Sequence, residues 1–371
     1  MKILVTGSKG FIGKNLCLLL KNRGHEVFEY DSKSSDEELR EAIKQCDFIV
    51  HLAGINRTAD VNQFKEINFG LTKKIVDLMT ECGTSAPILL GSSTQATLDN
   101  PYGESKALAE AVVNNFGFNG HPVYVYRLYH VFGKWCKPNY NSVIATFCYN
   151  ISHNLPIEIN DKAPSYEFVY VDDVCNEFIR TIEQRPFPTN HILYVEPSYV
   201  SKPVELARII KSFRASRDSL ALPFTNEFEK KLYATYLSYL PDNGFSYPLT
   251  SHTDKRGSFY EFLKSPAEGQ FSVNVIKPGS VKGDHYHMSK NEKYLVVSGS
   301  CEIKERLIDS DKVIAYQCND KKLVVVDIVP GYVHNIKNVG SKDAVVLMWA
   351  SDSFDPNNSD TYPMVVEKED L

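Results

Sequence analysis

The pattern of apolar and polar positions divides the chain into two stretches of different character. In the first stretch, continuous apolar runs alternate with helical segments as far as about residue 180; the runs cover 2–7, 25–31, 47–54, 86–93 and 122–128. Continuous apolar strands separated by helices are typical of a parallel sheet that helices cover on both faces. The first stretch is therefore predicted to be an α/β domain with a Rossmann-type, doubly wound parallel sheet.

The second stretch begins near residue 250, where the apolar runs become short and are interrupted by Gly, Pro, Asn and Asp. It contains no clear helical pattern, so it is predicted to be an all-β sandwich or jelly-roll barrel. The change falls within 240–257, which is rich in Pro, Gly, Ser and Asp. Because 371 residues suffice for two domains, we predict one domain over 1–243 and another over 250–371.

Composition and charge narrow the class of protein. The formal net charge is −5 and there is no basic stripe, which argues against binding to nucleic acid or to an anionic membrane. No apolar run approaches the ~18 residues of a membrane span, and the N-terminus enters a strand directly, so no signal peptide is expected. The eight cysteines are scattered without a CxxC pair, as is typical of reduced thiols. These features predict a soluble cytoplasmic protein.

The turn after the first predicted strand has the sequence TGSKGFIG, which places Gly7, Gly10 and Gly13 at the start of a helix. In a dinucleotide-binding turn, the first glycine permits a tight turn, the second lets the backbone approach a pyrophosphate, and the third lets the helix pack on the strand. The helix N-terminus also attracts the phosphates. This strand–turn–helix setting predicts a dinucleotide site; the alternative is an ordinary glycine-rich turn.

A second motif places Tyr102 and Lys106 four residues apart on a predicted helix, with Ser92, Ser93 and Thr94 upstream at the end of a strand. Positions i and i+4 share a helix face. Lys106 can therefore lower the pKa of the Tyr102 phenol, which is normally near ~10 and needs a nearby cation to act in acid–base chemistry near neutrality. A serine hydroxyl would hydrogen-bond the reacting carbonyl. YxxxK also occurs by chance, so its weight comes from its combination with the glycine turn.

With HLAG at 51–54, RLYHVFG at 127–133 and YEFVYVDDV at 166–174, residues 1–240 resemble the extended short-chain dehydrogenase/reductase family, which acts mostly on nucleotide sugars. The resemblance implies a catalytic triad of Ser93, Tyr102 and Lys106, although Ser92 and Thr94 flank the serine. It implies substrate contacts at Thr94, Arg127 and His130, the last at a position where the family more often has Asn. The implied cofactor-binding residues are Gly7, Lys9, Gly10, Phe11, Ile12, Gly13, Asp31, Ser32, Lys33, Leu52, Ala53, Gly54, Asn68, Tyr102 and Lys106.

The residues alone leave the choice between NAD and NADP open. Asp31 ends the second predicted strand, where a carboxylate would accept hydrogen bonds from a ribose 2′-OH and repel a 2′-phosphate, which favours NAD. Ser32, Lys33 and Lys9 are close in sequence and could receive a 2′-phosphate if Asp31 points away, which favours NADP.

The second stretch resembles the cupin family at its two motifs, which are carried here by GDHYHMSKNEKYLVVSG at 283–299 and PGYVHNIKN at 330–338. Alternate residues of a strand share a face, so two histidines spaced HxH point the same way. Imidazoles with a carboxylate suit Zn, Fe, Mn or Ni. The alternative is that HxH is merely two polar residues, and some cupins have lost their metal. The predicted ligands of a divalent metal are His285, His287, Glu292 and His334.

The segments at 254–262 and 282–287 are also similar to the dTDP-4-keto-6-deoxyhexose 3,5-epimerases, which abstract a proton alpha to a sugar ketone. This similarity implies a substrate contact at Arg256; the alternative is a charged strand entry. The C3 proton of a hexose is acidic only while a ketone at C4 delocalises the carbanion, so epimerisation must precede reduction. The two stretches together predict two steps on one nucleotide sugar.

Over its full length, the chain resembles the bifunctional enzymes of capsular polysaccharide synthesis of CapF type; further matching stretches lie at 133–149, 233–240 and 348–362. The resemblance implies a UDP-2-acetamido-2,6-dideoxy-4-keto-hexose as substrate. It implies UDP-2-acetamido-2,6-dideoxy-β-L-talose as product, on the route to UDP-N-acetyl-L-fucosamine for capsule or O-antigen. It further implies NADPH as reductant, a bound zinc ion and a homodimer.

Two other functions stay open. In the first alternative, the cupin region is a metal-binding module that only dimerises or regulates a reductase. In the second, the whole protein is a nucleotide-sugar 4-epimerase or dehydratase. Dehydratases typically have acidic residues just after the serine, where this chain has Thr94 and Gln95. A 4-epimerase needs no second catalytic domain. Exchange of the C3 proton separates a catalytic cupin from a structural one.

Overall fold

The computed structural model describes residues 1–186, 191–265, 267–353 and 359–367. Residues 354–358, part of the stretch 348–362 discussed above, lie outside the described residues. The chain divides into two compact units, Met1–Phe213 with Asn226–Asp242 and Arg214–Thr225 with Asn243–Leu371. No helix in the described ranges has both the length and the apolar character needed to cross a membrane.

The first unit is built on a parallel sheet of six strands with the order β2-β1-β3-β4-β5-β8, and a separate three-stranded sheet has the order β6-β7-β9. A π-helix over Phe64–Gly70 precedes α3, and a 3-10 helix over Thr94–Thr97 precedes α4. The elements in chain order are β1 (Lys2–Thr6), α1 (Phe11–Asn22), β2 (Glu26–Tyr30), α2 (Asp36–Gln45), β3 (Phe48–His51), α3 (Leu71–Cys82), β4 (Ile88–Ser93), α4 (Pro101–Phe118), β5 (Val123–Leu128), β6 (His130–Phe132), α5 (Val143–Ser152), β7 (Tyr166–Tyr170), α6 (Val171–Gln184), β8 (Ile192–Leu193), β9 (Ser198–Ser201), α7 (Pro203–Ser219) and α8 (Glu227–Leu237).

The continuous apolar strands of this unit are buried on both faces of the large sheet. Along β1, Ile3 and Val5 belong to the core that includes side chains of α1 and α6, whereas Leu4 belongs to the core that includes α2, α3 and α4. All three side chains are fully buried. The predicted doubly wound parallel sheet is therefore confirmed. Because β1, β3 and β4 are parallel neighbours, their carboxyl ends meet at one edge of the sheet.

The second unit consists of antiparallel strand pairs in two sheets, with the orders β10-β11-β12-β19-β14-β17 and β16-β15-β18-β13-β20. Its core lies between them and contains Tyr294, Ile303 and Val346, so the predicted all-β region is confirmed. The strands are β10 (His252–Asp254), β11 (Gly257–Ser265), β12 (Gly269–Ile276), β13 (Val281–Tyr286), β14 (Glu292–Ser298), β15 (Ser300–Leu307), β16 (Val313–Asn319), β17 (Val325–Ile328), β18 (Tyr332–Asn338), β19 (Ala344–Ala350) and β20 (Tyr362–Pro363).

A short excursion of the chain also joins the second unit. Leu222 N donates to Lys264 O at 2.6 Å, and Lys264 N donates to Leu220 O at 2.8 Å. These two hydrogen bonds form a β-bridge between Ala221 and Lys264 of β11. The predicted ranges 1–243 and 250–371 assign residues 214–225 to the first domain, whereas the structure assigns them to the second unit. The excursion interrupts the first unit, because the chain returns to that unit at residues 226–242.

Candidate active sites

The turn between β1 and α1 brings three backbone segments into contact. Gly7 has a φ of +70°, which side chains rarely tolerate, and a Cβ there would stand 2.7 Å from Ala53 N. A Cβ at Gly13 would stand 2.2 Å from Gly7 O, whereas one at Gly10 would meet, among the described residues, only Gly7 O at 3.1 Å. The mouth of the turn is therefore open in front of the N-terminus of α1. This arrangement fits the pyrophosphate of a dinucleotide.

Asn68 fixes the loop that follows β3. Its Oδ1 accepts a hydrogen bond from Ile55 N at 2.8 Å, and its Nδ2 donates to Ile55 O and to Ser105 Oγ, both at 3.0 Å. Asn68 is buried in the π-helix, so its amide links this loop to α4. Asn68 thus holds the loop that follows Gly54, and its cofactor-binding role stays a prediction.

The start of α4 sets the positions of the two residues of the YxxxK motif. Asn100 caps the helix by accepting a hydrogen bond from Gly103 N at 2.9 Å, and Pro101 occupies the first turn. Tyr102 and Lys106 then lie on one face and line a cavity of about 530 Å³ in the first unit. The predicted site residues among its lining are Phe11, Ile12, Leu52, Gly54, Ser93, Tyr102, Lys106 and His130.

Burial sets the protonation of both catalytic candidates. Lys106 is 8% exposed and donates from Nζ to Gly91 O at 2.9 Å. Burial lowers the pKa of Lys106 to about 8, against the opposing effect of the Glu110 carboxylate. Burial raises the pKa of the Tyr102 phenol, while its hydrogen bond with Ser93 acts in the other direction. Near neutrality the cavity thus presents a protonated phenol on the same helix face as a lysine cation, as delivery of a proton to a ketone oxygen requires.

The three hydroxyl groups at and just after the end of β4, from Ser92, Ser93 and Thr94, have different partners. Ser92 is buried and donates to Glu110 Oε1 at 2.5 Å, and Thr94 Oγ1 donates to Leu128 O at 3.4 Å. Ser93 accepts a hydrogen bond from Gln95 N at 3.2 Å and also interacts with Tyr102. Of the three, Ser93 is the one beside the phenol. Thr94 is not among the residues that line the cavity, because its hydroxyl turns to the β5 backbone.

Arg127 does not reach the cavity either, because Glu110 holds its guanidinium. Nε and Nη2 donate to the Glu110 carboxylate at 2.9 and 2.7 Å, in a bidentate pair. Of the predicted substrate contacts, Arg127 is thus not among the residues that line the cavity, whereas His130 is. Glu110 was missed by the sequence reasoning. Its spacing of four residues after Lys106 on a predicted helix was the signal that could have found it.

The residues near the end of β2 bear on the choice of nicotinamide. Asp31 Oδ1 accepts a hydrogen bond from Lys33 N at 2.8 Å, so part of this carboxylate is used within its own turn. Ser32 and Lys33 are exposed. The Lys9 side chain is 67% exposed and pairs with Glu29. Ser32 and Lys33 directly follow Asp31 in the chain, and neither they nor Lys9 are buried.

Four predicted metal ligands of the second unit come together. One possible ligand atom from each of His285, His287, Glu292 and His334 lies within 4.8 Å of the others. A bulge between Gly283 and His285 puts His285 opposite His334 on β18. The Nε2 atoms of His287 and His334 lie 3.6 and 3.7 Å from the two oxygens of Glu292. The sequence prediction that these four residues form one cluster agrees with this geometry.

The hydrogen bonds around the cluster direct its nitrogen atoms inward. His287 Nδ1 bonds to the carbonyl oxygen of Asp360, and His334 Nδ1 bonds to Tyr332 O at 3.4 Å. A ring nitrogen that donates a proton to a carbonyl leaves the other nitrogen as an acceptor. Both Nε2 atoms are buried without a hydrogen-bond partner in the described structure. An orphaned acceptor pair facing a carboxylate fits a divalent metal.

The electrostatics of the cluster agree with this protonation state. Burial lowers the pKa of His334 to about 3, with the nearby His285 acting in the same direction. Burial by itself would raise the pKa of Glu292, but the neighbouring His287, Lys290 and His334 lower it to about 2. A neutral imidazole beside an ionised carboxylate is the state that binds a metal. Tyr294 donates to Glu292 Oε2 at 2.9 Å and holds this carboxylate in place.

A cavity of about 520 Å³ in the second unit adjoins the cluster at Glu292. Its lining includes the buried polar side chains of Gln270 and Ser272 and the side chain of Lys290. Lys290 was not singled out from the sequence, because one lysine in a polar turn carries no recognisable signal. Arg256 is not among the lining residues; its guanidinium donates to Asp254 at 2.7 Å on the surface.

Two protein-family models match the chain. Residues 3–194 match the NAD dependent epimerase/dehydratase family, and residues 252–362 match the polysaccharide biosynthesis C-terminal domain. The first match includes Tyr102 and Lys106. The second covers all four residues of the histidine–glutamate cluster.

One curated relative and one solved structure match nearly the whole chain, and a second curated relative matches half of it. A UDP-2-acetamido-2,6-beta-L-arabino-hexul-4-ose reductase of Pseudomonas aeruginosa is 44% identical over 98% of this chain and 98% of its own length. The crystal structure of the capsular polysaccharide assembling protein CapF from Staphylococcus aureus has a TM-score of 0.91 and 47% identity, covering 98% of this chain and 100% of that one. A GDP-6-deoxy-D-talose 4-dehydrogenase of Aggregatibacter actinomycetemcomitans is 31% identical over 50% of this chain and 71% of its own length.

Proposed function

The chain belongs to the CapF-type family of capsular polysaccharide proteins, and from this premise we propose that it is a bifunctional nucleotide-sugar enzyme. The second unit epimerises C3 of a UDP-2-acetamido-2,6-dideoxy-4-keto-hexose. The first unit then reduces the C4 ketone to give UDP-2-acetamido-2,6-dideoxy-β-L-talose, on the route to UDP-N-acetyl-L-fucosamine. The relative from Pseudomonas aeruginosa, which reduces a UDP-linked hexul-4-ose by its name, supports the second step.

The reduction follows from the arrangement around Tyr102. A dinucleotide whose pyrophosphate lies at the Gly7 turn would supply the hydride for C4 of the sugar. The ketone oxygen accepts a hydrogen bond from Ser93 and a proton from the Tyr102 hydroxyl, so the C=O double bond becomes CH–OH. The Lys106 cation lies on the same helix face as Tyr102 and stabilises the phenolate that forms. The single observation that carries this step is the cavity lined by Ser93, Tyr102 and Lys106.

For the reductant we propose NADPH. The hydrogen bond from Lys33 N to Asp31 Oδ1 turns part of the carboxylate toward its own loop, and the exposed Ser32, Lys33 and Lys9 supply a hydroxyl and two cations for a 2′-phosphate. Initial rates of NADPH and NADH oxidation with the same keto sugar test this choice. A clear preference for NADH would overturn it.

For the second unit we propose a divalent metal, zinc first among Zn, Fe, Mn and Ni, held by His285, His287, Glu292 and His334. When bound, such a metal polarises an oxygen atom of the substrate or holds the strands in place. Metal analysis of purified wild type and His334→Ala tests the ligand set. The wild type should contain about one metal per chain and the variant roughly a tenth of that or less, since outer-shell changes alone already cost 10- to 100-fold in affinity. Equal contents would contradict the proposal.

Exchange at C3 tests whether the second unit is catalytic. The Tyr102→Phe variant is incubated with the keto sugar in D₂O without cofactor, and the C3 position is followed by NMR. Deuterium uptake at C3 that is lost on His334→Ala supports the epimerase. Without uptake, the second unit would be a metal-binding module that only dimerises the chain, and size-exclusion chromatography with light scattering on the same protein then reports whether a homodimer depends on it.

A further inference from the structure

The turn between the metal-ligand residues His287 and Glu292 is held by one carboxylate from a distant part of the chain. Asp360 Oδ1 accepts a hydrogen bond from Met288 N at 2.9 Å, and Asp360 Oδ2 accepts from Ser289 N at 2.8 Å and from Lys290 N at 2.9 Å. Ser289 Oγ adds a fourth hydrogen bond at 2.9 Å. Although burial opposes it, these donors hold the pKa of the Asp360 carboxyl well below its usual range. The turn 288–290 is therefore a fixed element.

The fixed turn places the Lys290 side chain at the cavity beside the cluster. Lys290 lines the cavity and its side chain is 13% exposed. Its Nζ lies 3.6 Å from Glu292 Oε1, which is longer than a hydrogen bond. In the described part of the chain, no hydrogen bond is formed by this ammonium group. The ammonium is thus largely shielded from water while its donors are free to bind a ligand.

Two other lysines of the second unit provide a comparison for the ammonium group of Lys290. Lys264 also lines the cavity, but its Nζ pairs with Glu261 at 2.9 Å. Lys282 on β13 donates to Asn274 Oδ1 at 2.7 Å. Both ammonium groups therefore have a close protein partner. Of these three, Lys290 is the one whose ammonium group forms no hydrogen bond within the described residues; it has only the longer contact of 3.6 Å with Glu292.

We propose that Lys290 is a catalytic residue of the second unit, whose ammonium group stabilises the negative charge on the substrate's C4 oxygen during exchange of the C3 proton. The inference rests on the proposed C3 epimerisation. The C3–H bond breaks, the proton passes to a base in exchange with solvent, and the electron pair delocalises onto O4 as an enolate. Return of a proton to C3 from the other face restores the ketone with inverted C3, so the step involves no net redox change.

The polar side of the cavity fits this assignment. Gln270 and Ser272 are buried and lie on β12 with their side chains hydrogen-bonded to each other at 3.1 Å. They offer amide and hydroxyl groups to a sugar, whereas Lys290 offers the preorganised cation. A fixed charge in a site with little water stabilises a developing oxyanion more than it stabilises a neutral ketone. Asp360, which does not touch the substrate in this scheme, is a positioning residue for Lys290.

The test measures deuterium uptake at C3 and metal content in the same preparations, all in the Tyr102→Phe background so that reduction cannot remove the keto sugar. The variants are Lys290→Met, Lys290→Arg and, as matched control, Lys293→Met, whose ammonium pairs with Asp327 on an exposed surface. Removal of one oxyanion donor typically costs 10²- to 10³-fold. We therefore expect Lys290→Met to slow exchange about 100-fold or more with unchanged metal content, and Lys290→Arg to restore part of the rate.

The possible outcomes separate the inference from the function on which it rests. Exchange in the parent that continues unchanged in Lys290→Met overturns the role of Lys290 and leaves the epimerase intact. No exchange in the parent overturns both. If Lys290→Met loses metal together with exchange while Lys290→Arg keeps the metal but recovers no exchange, the lysine only shapes the metal site and the proposal is wrong. The expected result requires both retained metal and a slow rate in Lys290→Met.

Discussion

The two candidate sites differ in how far the protein alone satisfies their polar groups. Around Tyr102, the surrounding groups are already paired: Ser92 and Arg127 bind Glu110, and Lys106 donates to Gly91 O. In the second unit, the Nε2 atoms of His287 and His334 are buried without a partner. Buried polar atoms without partners are costly unless something binds them. The first site is therefore preorganised by its own hydrogen bonds, whereas the second keeps two buried nitrogen atoms that its own described residues do not satisfy.

This difference predicts that substitutions in the two sites disturb different observables. A change in the first site should alter the rate of reduction and leave the metal in place. A change in the second should alter metal affinity and C3 exchange, and leave the isolated reduction chemistry intact.

The largest effect is expected for Tyr102→Phe. Loss of the phenolic hydroxyl removes the proton donor, and general acid–base groups contribute typically 10²- to 10⁴-fold. We expect NADPH oxidation with the keto sugar to fall by about that factor, while deuterium uptake at C3 stays within roughly twofold of wild type. Tyr247→Phe, at an exposed tyrosine, is the control. Loss of C3 exchange in Tyr102→Phe would break the division between the two sites.

Ser93 and Ser92 give the next comparison, inside the first site. Ser93→Ala removes the hydroxyl beside the phenol and should lower kcat for reduction about 100-fold, as for one oxyanion donor. Ser92→Ala removes a buried hydrogen bond to Glu110 and should lower the free energy of unfolding by about 1.5–3 kcal/mol with much less loss of kcat. Denaturant unfolding and NADPH oxidation check the pair. The reverse pattern would show that Ser92, rather than Ser93, donates the hydrogen bond to the ketone oxygen.

How far the sequence could predict these sites depends on how local the required chemistry is. Tyr102 and Lys106 are four residues apart and His285 and His287 are two apart, so helix and strand periodicity already place each pair on one face. Glu110 with Arg127 joins α4 to β5, and Asp360 reaches a turn about 70 residues earlier in the chain. Such contacts depend on strand order and on a returning segment, which no local pattern encodes. The excursion over 214–225 into the second unit was missed for the same reason.

Asp360→Asn tests the dependence of the second site on its surroundings. The asparagine keeps the backbone carbonyl that binds His287 but loses the charge that holds the turn 288–290. Outer-shell substitutions typically cost 10- to 100-fold in metal affinity, so we expect a fall of about 10-fold in competition with a chelator, and slower C3 exchange at saturating metal. Asp309→Asn, at an exposed turn, is the control. Unchanged metal affinity together with an unchanged rate of C3 exchange would mean that the turn 288–290 does not depend on the charge of Asp360.

The pH dependence of reduction gives the smallest effect and the sharpest comparison with unfolding. Burial lowers the pKa of Lys106 to about 8, so kcat/KM for reduction should fall as pH rises through about 8, where the cation beside Tyr102 is lost. Glu110 opposes this shift; Glu110→Gln should therefore move the alkaline limb to lower pH. The contribution of Lys106 to the free energy of unfolding changes in the opposite direction and increases with pH. Between about pH 8 and ~10.4, the unfolded chain, whose lysine pKa is near ~10.4, binds more protons than the folded protein.

The contribution of Lys106 to stability is therefore least favourable below about pH 8 and improves as pH rises toward ~10.4. Denaturant unfolding of wild type and Lys106→Met across this range checks it: the wild type should gain stability relative to the variant while it loses activity. A parallel decline of both quantities would mean that the alkaline limb reports unfolding rather than deprotonation of Lys106. Opposite trends would confirm that the first site keeps its geometry at alkaline pH and loses only the charge of Lys106.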